Sequence, residues 1–242
     1  LGAIALAVNL PEIDSMQYEL VIFDLAGTTV RDNKDVHRIL QSALLKQGVV
    51  ITIEDANEVM GIPKPEAIRI LLEKRQYNLR LITDQWIGEI HRDFVSDMIR
   101  FYETDASVGE KAGVTETFRK LKSLGIKIAV NTGFDRAITE ALLTRLGWQR
   151  DLLIDYSVTS DEVIRGRPFP DMIFHAMKRL GVDESSRVIK VGDTVSDLQE
   201  GHAAGCGIVV GITSGAFSAQ ALEKESPHHL INEIPELLTL LK

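Results

Sequence analysis

Short continuous apolar runs, each closed by a polar or Gly-containing turn, alternate along most of this chain with stretches whose apolar residues recur every three or four positions. Leu20-Val21-Ile22-Phe23 is such a run. It reads as a strand buried on both faces, the habit of parallel sheets. Further strands are predicted at 126–130, near 153–156, at 187–191 and at 208–210. Between them the 3.6-residue period predicts helices at 114–124, 136–146, 171–180 and 194–204, and a last helix from Ile234. Gly125, Gly147 and Gly181 stand where a left-handed residue would end three of these helices.

One block breaks the alternation. From about Asp35 to Asp105 the period is helical and no strand is evident. Val36, Ile39, Leu40, Ala43 and Leu44 share one face, and residues 65–72 and 84–101 continue the period. Thr52-Ile53-Glu54-Asp55 has the form of a capping box with Asp in place of Glu. This is a four- or five-helix insert whose exits, at 31–34 and 104–110, are polar or Gly-containing and suit hinges. The expected fold is α/β, a doubly wound parallel sheet with an inserted helical cap. The core takes residues 16–33 and 108–242, and the cap takes 34–107. Residues 1–15 are apolar but lack a basic start and a cleavage site. With Met16 as a plausible native start, they are expected to be an added or docked extension.

Composition narrows the partners. An apolar fraction of 45% and a charged fraction of 26% describe an ordinary globular chain, and the net charge of −8 lacks the basic footprint that nucleic acid requires. No apolar run approaches the roughly 20 residues of a membrane-spanning helix. Cys206 is the single cysteine, so no internal disulfide forms, in keeping with a cytoplasmic location.

The chemistry sits at the predicted strand ends. Asp24 follows the first strand and precedes the turn Leu25-Ala26-Gly27-Thr28. An Asp there can cap a helix or act as a nucleophile. Thr132 and Gly133 end the second strand with a hydroxyl and a free amide. Arg167 lies in Gly166-Arg167-Pro168-Phe169-Pro170, and Asp193 and Asp197 close the 187–191 strand, four residues apart. An acid, a hydroxyl, a cation and an acidic pair, in that order, resemble the haloacid dehalogenase superfamily from about Tyr18 onward.

Two further details resemble its phosphonatase branch. The superfamily's phosphatases carry a second Asp two residues after the nucleophile, where this chain has Ala26, and a Lys where it has Arg167. The segment Met60-Gly61-Ile62-Pro63-Lys64 resembles the branch's cap segment, whose Lys forms a Schiff base with a substrate aldehyde. The resemblance implies Asp24 as nucleophile and Mg²⁺ held by Asp24, the Ala26 carbonyl and Asp193, with Asp197 ligating directly or through water. It implies phosphoryl binding by Thr132, Gly133 and Arg167, with Met60 against the substrate, and Lys64 as the imine-forming amine. It also implies a homodimer formed through the caps. A carbon–phosphorus bond releases a carbanion, which an iminium can accept and a carboxylic acid at position 26 would not help. Three family residues are replaced: a His by Ala67, an aromatic hydroxyl by Phe134, and a cap Cys without counterpart. The expected activity is cleavage of a small phosphonate aldehyde. A phosphatase for a small ester such as phosphoglycolate is the alternative, and a non-catalytic protein keeping the fold is a third class.

Overall fold

The computed structural model describes residues 17–75 and 81–241. The proposed extension, 1–15, lies outside them. Six strands form one sheet: β1 (Leu20–Phe23), β2 (Lys127–Thr132), β3 (Tyr156–Thr159), β4 (Val188–Gly192), β5 (Ile208–Ile212) and β6 (His229–Ile231). Their order is β3-β2-β1-β4-β5-β6, and every neighbouring pair is parallel. The chain winds outward from β1 to β3, then returns to place β4 on the other side of β1. The order therefore reverses between β1 and β4, and an open α/β sheet leaves a crevice at such a point beyond the carboxyl ends of its strands.

Strand alternation divides the core in two. Val21 and Phe23 join Phe118 of α5 (Val114–Ser123), Leu142 of α6 (Arg136–Leu146) and Leu237 of α10 (Leu237–Leu240) on one face. Leu20 and Ile22 join Ile173 of α7 (Asp171–Leu180), Leu198 of α8 (Val195–Ala204) and Leu222 of α9 (Ala219–Glu223) on the other. The helices end as their sequences imply: Gly147, Gly181 and Gly205 take left-handed conformations at the C-caps of α6, α7 and α8.

Between β1 and α5 the described residues form four helices, α1 (Asp35–Lys46), α2 (Ile53–Glu58), α3 (Lys64–Lys74) and α4 (Asp84–Thr104). Thr52 and Asp55 form the anticipated capping box on α2. The block leaves and rejoins the rest of the chain at one place, where the Arg31 amide donates to the Gly109 carbonyl at 3.0 Å and Val30 bridges Glu110. Its longest helix, α4, packs on α6, and His91 of α4 reaches Asp135 at the start of α6, 3.2 Å away.

One local expectation is corrected, and two short elements were not expected. The strand placed near 153–156 runs instead over Tyr156–Thr159. Leu153 and Ile154 are buried in the core, but the Asp155 carboxylate accepts the Ile128 amide at 2.8 Å and so caps the ladder before pairing begins. Short β6 and α9 had no distinct apolar period in the sequence. β6 is a three-residue edge strand whose pairing with β5 fixes it.

Candidate active site

Asp24 leaves β1 with its amide donated to the Val191 carbonyl at 2.9 Å, and its own carbonyl accepts the Thr29 hydroxyl at 2.8 Å. The turn then folds on itself: the Thr29 and Val30 amides both donate to the Leu25 carbonyl. Gly27 has φ +92°, and a Cβ there would lie 2.3 Å from an oxygen of Asp193. Glycine therefore lets the turn lie directly against the end of β4. The Ala26 carbonyl accepts no hydrogen bond from any described residue.

Asp193 is buried at the end of β4. One of its oxygens accepts the Thr28 hydroxyl at 2.8 Å, and the other accepts the Ala216 amide at 2.6 Å. Asp24, Asp193 and Asp197 each present an oxygen within 4.8 Å of the others. Burial first, then mutual repulsion, pushes Asp24 up to about 6 and Asp193 up to about 8. Clustered buried carboxylates with an unengaged carbonyl oxygen beside them are the hard-oxygen donor set of a small divalent cation.

Arg167 is almost wholly buried among oxygen acceptors. Nε meets Glu200 at 3.0 Å; Nη1 meets Asp24 at 2.8 Å and Asp197 at 2.9 Å; Nη2 meets the Asn131 carbonyl at 2.8 Å and its side-chain oxygen at 2.6 Å. Four of these contacts are hydrogen bonds, and the Asp197 oxygen stands at ion-pair distance without hydrogen-bond geometry. In this structure the fork holds the Asp24 carboxylate.

Asp197 is likewise engaged. One oxygen accepts the Thr194 hydroxyl at 2.5 Å in the capping box of α8, and the other faces both Arg167 and Lys190 at 2.9 Å. It belongs to the same carboxylate cluster as Asp24 and Asp193. Sequence reading missed the buried network around Arg167 and Asp197, made by Lys190, Glu200 and Asn131. Lys190 stands in the middle of β4 and reaches the Asn131 side-chain oxygen at 2.6 Å and Glu200 at 3.2 Å. A lone Lys inside an apolar strand, with Glu200 one helical turn past Asp197, was the available signal.

The Thr132 hydroxyl accepts the Phe134 amide at 3.2 Å and holds the turn after β2. Gly133 is tightly covered: a Cβ there would come within 2.7 Å of the Gly61 carbonyl and 2.8 Å of that of Ile62. Gly61, with φ +84°, would clash with Ser196 and Thr194 if it carried a Cβ, and Gly166 would clash with Pro63. Residues 60–64 of the helical block thus lie on three loops at once, those after β2, before α7 and at the start of α8.

Pro63 caps α3, and Pro65 fits its first turn, so Lys64 begins the helix with its side chain directed inward. Lys64 is buried, with Nζ 3.4 Å from the Ile62 carbonyl and 5.9 and 5.6 Å from the ring centres of Phe94 and Phe134. Burial pulls its pKa down to about 8, against the opposing pull of Asp24, Asp135 and Asp32. Lys64, Asp24, Ala26, Met60, Thr132 and Gly133 line one cleft, together with Asp32 and His37. Ala67 is buried in the interior and Phe134 walls the amine. Cys206 is buried elsewhere, its thiol pushed up to about 12.

A family model of haloacid dehalogenase-like hydrolases matches residues 18–205, and the chain belongs to that family. Among curated proteins it is 34% identical over 230 residues to a phosphonoacetaldehyde hydrolase of Bacillus cereus, covering 90% of this chain and 86% of the relative. It is 33% identical, over the same shares, to a phosphonoacetaldehyde hydrolase of Bacillus anthracis. Among solved structures, a phosphonoacetaldehyde hydrolase like protein from Oleispira antarctica superposes with a TM-score of 0.81 at 24% identity, covering 98% of this chain and 95% of that one. Among the described residues, no helix is long and apolar enough to cross a membrane.

Proposed function

We propose that this hydrolase cleaves the carbon–phosphorus bond of a small phosphonate aldehyde, phosphonoacetaldehyde or a close analogue. The carrying observation is the buried amine of Lys64, opening on the same cleft as Asp24 with its pKa near 8. At pH 7 such an amine is neutral about a tenth of the time, against roughly 0.04% for an ordinary Lys. A neutral amine can form an imine with an aldehyde. The names of the curated relatives support the same substrate class.

Asp24, aimed by Arg167, attacks phosphorus. The carbon–phosphorus bond breaks, and its electron pair flows into the iminium on Lys64 to leave an enamine. Water then cleaves the aspartyl-phosphate. Residues 34–107 act as the cap, and loop 60–64 encloses the reacting groups away from bulk water. Thr132 and the Gly133 amide receive phosphoryl oxygens. Asp24, the Ala26 carbonyl and Asp193 would hold Mg²⁺, which when bound neutralises charge between two anions. Asp197 pairs with Arg167.

Borohydride added with phosphonoacetaldehyde should inactivate the enzyme and leave a mass increment on the Lys64 peptide. Lys64→Arg should lose both the adduct and phosphate release from the phosphonate, because a guanidinium forms no imine. Undiminished phosphonate cleavage by that variant would overturn the imine mechanism. A phosphatase acting on a small ester would then be the better reading.

A further inference from the structure

Imine formation moves protons as well as electrons. If Lys64 begins as an ammonium, the nitrogen must shed two protons while its bond to the aldehyde carbon forms. The carbonyl oxygen gains both and leaves as water when its bond to carbon breaks. No proton is gained or lost overall, but some group must carry them. Four residues lining the cleft have ionisable side chains: Asp24, Lys64, Asp32 and His37. Asp24 is bound by Arg167 and committed to phosphorus, and Lys64 is the amine itself. Phe94 and Phe134, which flank that amine, carry no titratable group.

His37 lies on α1 and is 1% exposed. Its Nε2 is 2.9 Å from the Asn57 side-chain oxygen, which only accepts, so Nε2 carries the hydrogen and Nδ1 the lone pair. Nδ1 is buried with no hydrogen-bond partner among the described residues. The nearest acid, an Asp32 oxygen, is 3.9 Å away, beyond direct bonding but within reach of a single bridging oxygen. The other Asp32 oxygen accepts the Asp35 amide at 2.6 Å, which fixes that carboxylate. An unmatched buried acceptor is costly unless something periodically occupies it.

We infer that His37, oriented by Asn57 and paired with Asp32, is the residue that carries protons between the Lys64 nitrogen and the substrate oxygen. This rests on the imine reading above. Nδ1 takes a proton from the nitrogen, directly or through one water, and returns it to the carbonyl-derived oxygen, which departs as water. Burial lowers the imidazole pKa, keeping it a free base at neutral pH; Asp32 and Asn57 oppose that shift, and Lys64 and Lys34 reinforce it.

The test is the rate of borohydride trapping at Lys64 in the Mg²⁺-loaded enzyme with phosphonoacetaldehyde. His37→Ala should slow trapping roughly a hundredfold, in the range of lost general acid–base catalysis. Added imidazole should restore it in proportion to concentration, which a purely structural defect would not allow. His37→Gln keeps the bulk and should be equally slow without rescue; it carries the test alone if the alanine variant does not fold. An adduct formed at the wild-type rate in either variant, or an alanine variant that imidazole does not rescue, overturns the inference. A wild-type enzyme that yields no Lys64 adduct overturns the imine reading, and this inference with it.

Discussion

Lys64 is a costly residue to bury, and the cost has a predictable pH dependence. Its folded pKa, about 8, lies below the ordinary Lys value. Between those two pH values the unfolded chain binds more protons, so stability rises with pH there; below about 8 the full penalty is present. Lys64→Met should therefore raise stability at pH 7 by an amount on the order of a few kcal/mol, seen as a higher melting temperature. The advantage should shrink as pH rises from 8 towards 10.5. Thermal melts of both proteins across that range check it; an advantage that does not vary with pH would mean that the amine is not desolvated. Such a variant would gain stability as it lost activity, a common trade at strained sites.

Among the elements, loop 60–64 and the end of β2 are the pair whose contact assembles the cleft. Gly133 is required because two backbone carbonyls of that loop sit on its Cα. Backbone cannot swing aside as a long side chain does. Gly133→Ala should push the loop outward by about an ångström and lower turnover roughly a hundredfold, the usual consequence of such a misplacement. Gly181→Ala, at a helix end with open space around it, is the contrasting control. It should cost stability through its left-handed conformation, with turnover at low temperature kept. Equal turnover in Gly133→Ala and the wild type would show that the cleft does not depend on this contact.

Across the whole molecule, the buried cluster is negatively charged in a chain already at −8. Because Asp24 and Asp193 have raised pKa values, ionising them costs stability as pH rises through about 6 and then 8. A divalent cation favours the ionised forms and should reverse that trend. Saturating Mg²⁺ should raise the melting temperature by roughly 5–10 °C at pH 8, and by clearly less at pH 5.5, where the carboxylates hold their protons. The same shift at both pH values, or none at all, would count against a cation among these carboxylates.

How much of this could be read in advance differs by element and by residue. β1, β2, β4 and α6 were evident because each is a local pattern: an unbroken apolar run or a helical period with a glycine stop. β6 was not, because a three-residue edge strand has no pattern of its own and exists only through its partner. Asp24, Thr132, Arg167 and Asp193 were picked out as residue types at strand ends, which spacing along the chain suffices to indicate. What those side chains face was decided in three dimensions. Arg167 is held by residues at the end of β1, in β2 and in α8, so its role follows from groups 30 to 143 positions away in sequence. Lys190 and His37 carried no reading from the sequence. Folding removed both from water, which gave Lys190 ionic partners and left one His37 nitrogen without a hydrogen-bond partner among the described residues. Sequence by itself determined where β1, β2 and β4 lie along the chain and which reactive groups follow them, because both depend on neighbours along the chain. Tertiary structure alone decided which of those groups are satisfied and which remain open in the cleft, because desolvation and pairing depend on neighbours in space.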